Sequence, residues 1–329
     1  MLRAPAAGAD HYLLTAHAAA RSFSVTLEPI ALPSPAAGVL PEPITGHEHA
    51  TKWLGAEQQV LITTVLAASA RGFDTHAWQL AWVLEDFLDH RGLWHDLAAT
   101  QRTALKAGRR LRDPFAQAHA HRGLARAEAN LRRYESARAH AERALKRFGE
   151  SSDATMRAET HRTIRWLLGQ QSSYDDALTH AEQALTLHTT TGDKKKQAIA
   201  LSSVGWCHTL LGRHREALTY CYQALAMVKE VACPVGLADP WVSLGHAHHH
   251  LDEHSSAIAA YERVLGLYRQ VCFRHPEANT LTRLGDVLLA AGQPDPARAA
   301  WTEALGILTE LGHSDTDPLR ARLRRLEQV

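Results

Sequence analysis

Residues 198–228 read AIALSSVGWCHTLLGRHREALTYCYQALAMV. Two amphipathic helices are written there, joined by the turn Leu211-Gly212-Arg213-His214. Leu201, Val204, Gly205, His208 and Leu211 recur at helical spacing on one face of the first helix. Ala217, Leu218, Cys221, Ala224 and Leu225 do the same on the second. The hairpin then repeats along the chain. Its second-helix alanine recurs as Ala137, Ala177, Ala217, Ala257 and Ala297, and the leucine eight residues on as Leu145, Leu185, Leu225, Leu265 and Leu305. The matching first-helix position is looser: Ala125, Arg165, Gly205, Gly245 and Gly285. Every step is forty residues. Trp94, Leu97, Ala104 and Leu105 extend the register backwards, so 75–112 forms a sixth, degenerate copy. A hairpin cannot bury its apolar face alone, so a fixed period of this length predicts an all-α solenoid of about six stacked helix-turn-helix repeats.

The flanks organise around that array. Residues 10–22 predict a helix, followed by an extended connector from Glu28 to Pro43 that carries Pro29, Pro33, Pro35, Pro41 and Pro43. Thr45 and Glu48 have the spacing of a capping box and open one helix running to about Ser69, which Gly72 stops. The expected layout is therefore an N-terminal helix and connector over 1–46, a capping helix over 47–73, the repeats over 75–314 and a capping helix over 316–329. Phe148-Gly149, Thr191-Gly192-Asp193, Cys233-Pro234, His275-Pro276 and Leu311-Gly312 read as the separators. Asp317-Pro318 opens the closing basic helix, Leu319 to Glu327.

Composition narrows the function classes. Thirty-six basic and 35 acidic residues leave a formal charge of +1. That balance argues against a general nucleic-acid or membrane-surface binder. No window approaches a membrane span, and Cys207, Cys221, Cys233 and Cys272 form no CxxC pair. A reducing, cytoplasmic setting with no resident cofactor or metal is the expectation. Twenty-two histidines make the charge sensitive to mild acid.

The turn Leu211-Gly212-Arg213-x-x-Glu216-Ala217-Leu218, with Ala144, Ala184, Ala224 and Ala304 in the second helices, resembles the tetratricopeptide repeat in a forty-residue form. A wider resemblance rests on Asp10-His11-Tyr12, Ile30-Ala31-Leu32-Pro33, Pro41-Glu42-Pro43, Trp53-Leu54-x-x-Glu57, the run His76 to Trp82 and Thr282 to Asp286. It is to the C-terminal region of actinobacterial antibiotic-regulatory transcription factors of the SARP/AfsR type. The resemblance implies a right-handed superhelix serving as an interaction or sensing module. No GxxxxGK[ST] loop is present. The chain by itself is expected neither to bind promoter DNA nor to hydrolyse ATP, and to be a truncated form or a stand-alone sensor arm.

In such arrays the first helices line the concave face, which projects Trp82 and Asp86, then Arg122 and Arg126, then Arg162 and Trp166, then Trp206, then His246, His249 and His250, then Arg283 inward. His90, His119, Asn130, Glu159 and Ser203 fall on the same faces. Trp166, Trp206 and His246 would form a ladder of planar rings flanked by Arg122, Arg126 and Arg162. Arginine and tryptophan often dominate binding energy, and guanidinium pairs bidentately with carboxylates. The expected partner is a protein or peptide, or an anionic or aromatic small molecule, with no direct nucleic-acid contact, no membrane and no oligomeric state indicated. A solvated surface with packed tryptophans is the competing reading. Were the chain an enzyme, His246 with Asp239 or Asp286 would be the acid/base candidates. His246, His248, His249, His250 and His254 also cluster. His246 and His250 have metal-ligand spacing, but without HExxH a polar or pH-responsive face is the simpler reading.

Overall fold

The computed structural model describes residues 3–23, 30–150, 153–231, 238–270, 273–313 and 315–326. The separator Cys233-Pro234, Glu28, Pro29, Cys272 and Glu327 lie outside these residues. Every regular element among the described residues is helical. The chain divides into two units, 1–89 with 93–167 and 90–92 with 168–329.

Helix length explains the period. Helices α4 (Asp74–His90), α5 (Trp94–Arg110), α6 (Pro114–Asn130), α7 (Tyr134–Glu150) and α8 (Ala154–Gln170) are each 17 residues long. A three-residue turn completes twenty, and two such segments make one repeat. The turns share one geometry. Gly72, Gly92, Arg112, Arg132, Ser172, Gly192, Gly212, Asp252, Gly292 and Gly312 all have positive φ, at multiples of twenty. In nearly every case the next N–H donates to the carbonyl five residues back, as from Arg133 to Glu128, Arg213 to His208 and Glu253 to His248. This is the Schellman closure that satisfies the last carbonyls of a helix. Turns within and between hairpins are thus alike. The predicted separator His275-Pro276 departs from this pattern, lying in the first turn of α14 (Arg274–Ala290). First-turn amides have no intrahelical acceptor, so a proline there costs little.

In unit one, α1 (Arg3–Phe23) packs on α2 (Gly46–Ala56) and α3 (Gln58–Ala70), with Leu13, Ala16, Leu54, Leu61 and Val65 fully buried. The predicted single helix over 45–69 is interrupted at Glu57, and Thr45 makes no side-chain cap. Instead the Thr45 N–H donates to His49 Nδ1 at 3.2 Å, while Glu48 pairs with Lys52. The connector is tied down: Ala36 N–H donates to Asp10 (2.8 Å), Glu42 N–H to Thr15 Oγ1 (3.0 Å), and Gln79 Nε2 to Ala31 O (2.7 Å).

Unit two stacks α9 (Tyr174–Thr191), α10 (Lys194–Leu210), α11 (His214–Val231), α12 (Ala238–His250), α13 (His254–Gln270), α14, α15 (Pro294–Glu310) and α16 (Thr316–Leu326), each against the next. The column Ala177, Ala217, Ala257 and Ala297 is fully buried. The first-helix glycines answer residues sixteen positions on. A Cβ on Gly205 would sit 2.6 Å from Cys221 Sγ, one on Gly245 would sit 2.8 Å from the Tyr261 ring, and one on Gly285 would overlap the Trp301 indole. The same glycine makes room for side chains that grow from Cys221 to Tyr261 to Trp301. Trp301 Nε1 then donates to Thr282 O at 3.0 Å. Leu319 of α16 is buried and closes this end of the core.

Candidate functional site

The forty-residue register Asp86, Arg126, Trp166, Trp206, His246, Asp286 falls on the first helices; Asp86 meets Arg126 in unit one, and Trp206 meets His246 in unit two. In unit one the contact is ionic. Arg126 donates through Nη1 to Glu85 Oε1 and Asp86 Oδ1, both at 2.9 Å, and through Nη2 to Asp89 Oδ2 at 2.5 Å. Arg122 Nη2 lies 3.1 Å from the same Glu85 oxygen, and Asn130 donates to Asp89. Burial alone would lower the Arg126 pKa. The charges of Asp89, Asp86 and Glu85 more than reverse that and hold it well above its ordinary range. Two guanidiniums face three carboxylates, so this part of the face has no cation to spare. The projected clamp of Arg122 and Arg126 is corrected accordingly: both are consumed internally, and Asp86 is one of the consumers.

Glu85 was missed, and the signal for it was available. It occupies the register of Ala125 and Gly205, where a small residue is expected. A carboxylate only 2% exposed in that slot demands a cation, and Arg122 and Arg126 on α6 supply it.

Trp82 also departs from its projected place. At 4% exposure it lies inside unit one, edge-on to His119 at 6.0 Å, because this register position faces the neighbouring first helix. His119 sits among Trp78, Trp82, Phe115 and Phe148 with neither ring nitrogen hydrogen-bonded, and burial keeps it neutral, its pKa driven well below the usual value. Arg162 pairs with Glu159 one helical turn away at 2.7 Å. Trp166 is half-buried against Ala129, Ala137 and Leu167.

Unit two carries the other chemistry. Trp206 on α10 meets His246 on α12 edge to face, with ring centroids 5.1 Å apart. The Arg283 guanidinium of α14 lies over the Trp206 ring, 5.1 Å from its centre. Arg283 also reaches the buried Tyr261 hydroxyl, whose pKa burial pushes up to about 12. Among the described residues no carboxylate lies within ion-pair distance of Arg283. Asp286, one turn along the same helix, is held by Arg322 of α16 at 2.5 and 2.7 Å.

The histidines extend this surface. His250 stacks on His214 with ring centroids 4.9 Å apart and planes nearly parallel, and touches His246 (4.7 Å) and His249 (5.5 Å); His249 reaches His254 at 5.9 Å. Burial, then the cations around it, Arg283 first, drive the His246 pKa down to about 3. Burial also lowers His214 and His249. His248 stands apart, buried and bonded to Glu253 Oε2 through Nδ1 at 2.5 Å, a packing role like that of His208. Among the described residues, no three His, Cys, Asp or Glu are arranged to hold a metal ion.

The proposed acid/base set is not assembled. His246 makes no hydrogen bond to Asp239 or Asp286, its Nδ1 is buried without a partner, and Asp286 is committed to Arg322. Sequence reasoning identified Trp206, His246, His249, His250 and Arg283 as neighbours, and unit two brings them together. It missed Tyr261 and His214, which lie on second helices.

The tetratricopeptide repeat family model matches residues 167–230 and 236–310, so such repeats are present there. No curated protein matches the sequence. Among solved structures, the chain is similar to a Rap protein complexed with Competence and Sporulation Factor (16% identity, 86% of this chain and 84% of that one, TM-score 0.55). It is similar to BtubC from P. vanneervenii (20% identity, 67% and 92%, TM-score 0.52). It is also similar to a STAND signal transduction ATPase with a tetratricopeptide repeat sensor from Pyrococcus horikoshii (13% identity, 84% and 45%, TM-score 0.57). The chain spans less than half of that ATPase. At these identities the likeness is one of fold. No helix among the described residues is long and apolar enough to cross a membrane.

Proposed function

We propose that the chain is a protein- or peptide-binding scaffold acting as an interaction or sensing module in a regulatory system, with its ligand along the first-helix face of unit two. One observation carries this reading. Arg283 is half-buried on the ring of Trp206, with aromatic and imidazole neighbours and, among the described residues, no carboxylate at ion-pair distance. An arginine without an internal carboxylate, held flat on a tryptophan, has the composition of a binding hot spot. The Rap protein of similar fold is complexed with Competence and Sporulation Factor, which supports a bound factor as the occupant. The likeness of Asp10-His11-Tyr12 and Thr282 to Asp286 to SARP/AfsR-type regulators supports the regulatory setting.

The test is photo-crosslinking in cell extract from a benzophenone placed at exposed Tyr222 or at His250. A discrete partner should be captured by the wild-type background and lost when Trp206→Ala or Arg283→Ala is added. Capture that is indifferent to both substitutions sinks the reading.

A further inference from the structure

The same face holds a cation with no carboxylate at ion-pair distance among the described residues, and the partner it would take can be named. Arg283 brings one positive charge to the surface made by Trp206 and His246. None of the nearby carboxylates lies at ion-pair distance from Arg283 among the described residues. Asp286 of α14 is neutralised by Arg322, and Asp239 of α12 acts on the buried Tyr268. Asp252, in the turn before α13, acts on His249 together with Asp286. The remaining titratable groups facing His246 are His214 on α11, His249 and His250 on α12 and Arg283 on α14. His254 on α13 lies behind His249. The Nδ1 atoms of His214, His246, His249 and His254 are buried with no hydrogen-bond partner. Arg283 is thus a cation on an aromatic and imidazole surface, with no carboxylate at ion-pair distance among the described residues.

We infer that the Trp206, His246 and Arg283 face of unit two receives an aspartate or glutamate side chain of an acidic peptide, and that an imidazole of the cluster takes up a proton as the carboxylate seats. This rests on the peptide-binding reading above and names the chemistry of its central contact. A guanidinium pairs with a carboxylate through two parallel N–H donors, and its other face stays on the indole. The arriving anion offsets the charge of Arg283, which acts together with burial to hold His246 neutral. The proton comes from solvent and stays on the imidazole, which then donates to the carboxylate. A phosphate dianion would need a second fixed cation, and among the described residues none is paired into this cluster.

The experiment uses the full chain and an array of twelve-residue peptides, acetylated and amidated so that Asp and Glu supply the only carboxylates. The tightest peptides should share an acidic position, and exchange of that residue for Asn or Gln should weaken binding by at least about tenfold. In Arg283→Gln the acidic and amide forms should bind alike, while Arg283→Lys, with a melting midpoint near wild type, should keep the preference. Titration calorimetry of the best peptide in phosphate and in Tris at about pH 7 should differ by the buffers' ionisation heats, reporting net proton uptake that falls in His246→Gln. Peptides that bind with no acidic preference, a preference that survives Arg283→Gln, or stronger binding of phosphoserine peptides would overturn the inference and leave the scaffold reading standing. Absence of proton uptake overturns the proton-linked part. Absence of any binding peptide overturns the scaffold reading itself.

Discussion

Unit one and unit two place the same register position to opposite uses. Asp86 and Arg126 stand forty residues apart and close an ion pair inside a net that includes Glu85, Asp89 and Arg122. Trp206 and His246 stand forty residues apart and close an aromatic contact beside Arg283, which has no carboxylate at ion-pair distance among the described residues. An arginine on a first-helix face is therefore not a binding residue by virtue of its position. Its neighbours' charges decide whether it serves the fold or a ligand. Trp166, the unit-one tryptophan of the register, likewise packs on Ala129, Ala137 and Leu167.

The sharpest way to break this contrast is to remove each arginine in turn. Arg126→Met should cost about 3–5 kcal/mol, because it leaves Arg122 alone to face the buried Glu85 and strips Asp86 and Asp89 of their cation. Arg283→Met should cost about 1 kcal/mol or less without ligand, since only a cation–π contact and a hydrogen bond are lost. Urea unfolding measures both, and equal losses would erase the distinction.

Acid probes the histidines of unit two next. The His246 pKa is about 3 in the folded chain against 6.5 for the ordinary group, so the unfolded chain binds the extra proton between those values. Stability from this group is intact above about pH 6.5 and is lost as pH falls toward 3, at up to about 1.4 kcal/mol per pH unit. His246→Gln should therefore retain about 2–3 kcal/mol more of its neutral-pH stability at about pH 4.5 than wild type does. Parallel pH profiles for the two would show that His246 is not held neutral by this surface.

Packing sharpens the comparison further. The unit-one first helix carries Ala125 where unit two carries Gly285 beneath Trp301. Gly285→Ala should cost about 1–3 kcal/mol through overpacking, and adding Trp301→Ala should recover part of that loss. Additive losses in denaturant would mean the glycine answers something other than the indole.

The smallest effect lies in the turns. Arg112 takes the left-handed conformation that Gly212 takes in unit two. Arg112→Gly should gain up to about 1 kcal/mol and Gly212→Ala should lose about as much, read from melting midpoints.

How much of this was legible beforehand differs by residue. Ala217 and Gly205 announced a packed hairpin because helix periodicity is local and repeats. The common turn geometry at Arg112, Arg132, Ser172 and Asp252 was invisible, since a left-handed residue need not be glycine when a Schellman closure holds it. Thr45 and Glu48 had the letters of a capping box, yet His49 took the Thr45 amide and Lys52 took the carboxylate. Trp82 looked like a groove residue until the adjacent first helix covered it.

By itself, the sequence determined the helices, their forty-residue pairing, the buried alanine column and the membership of Trp206, His246, His249, His250 and Arg283 in one face. The first three follow from spacing, which along a helix is a matter of backbone geometry alone; the shared face follows from the resemblance to stacked repeats whose first helices line one surface. Only the tertiary structure decided which charges were already spent. An ion pair depends on which side chains from separate helices end within a few ångströms of each other, and no one-dimensional pattern carries that distance. That is why Arg122 and Arg126 belong to the fold, and why Arg283, whose neighbours bring it no carboxylate, carries the functional reading.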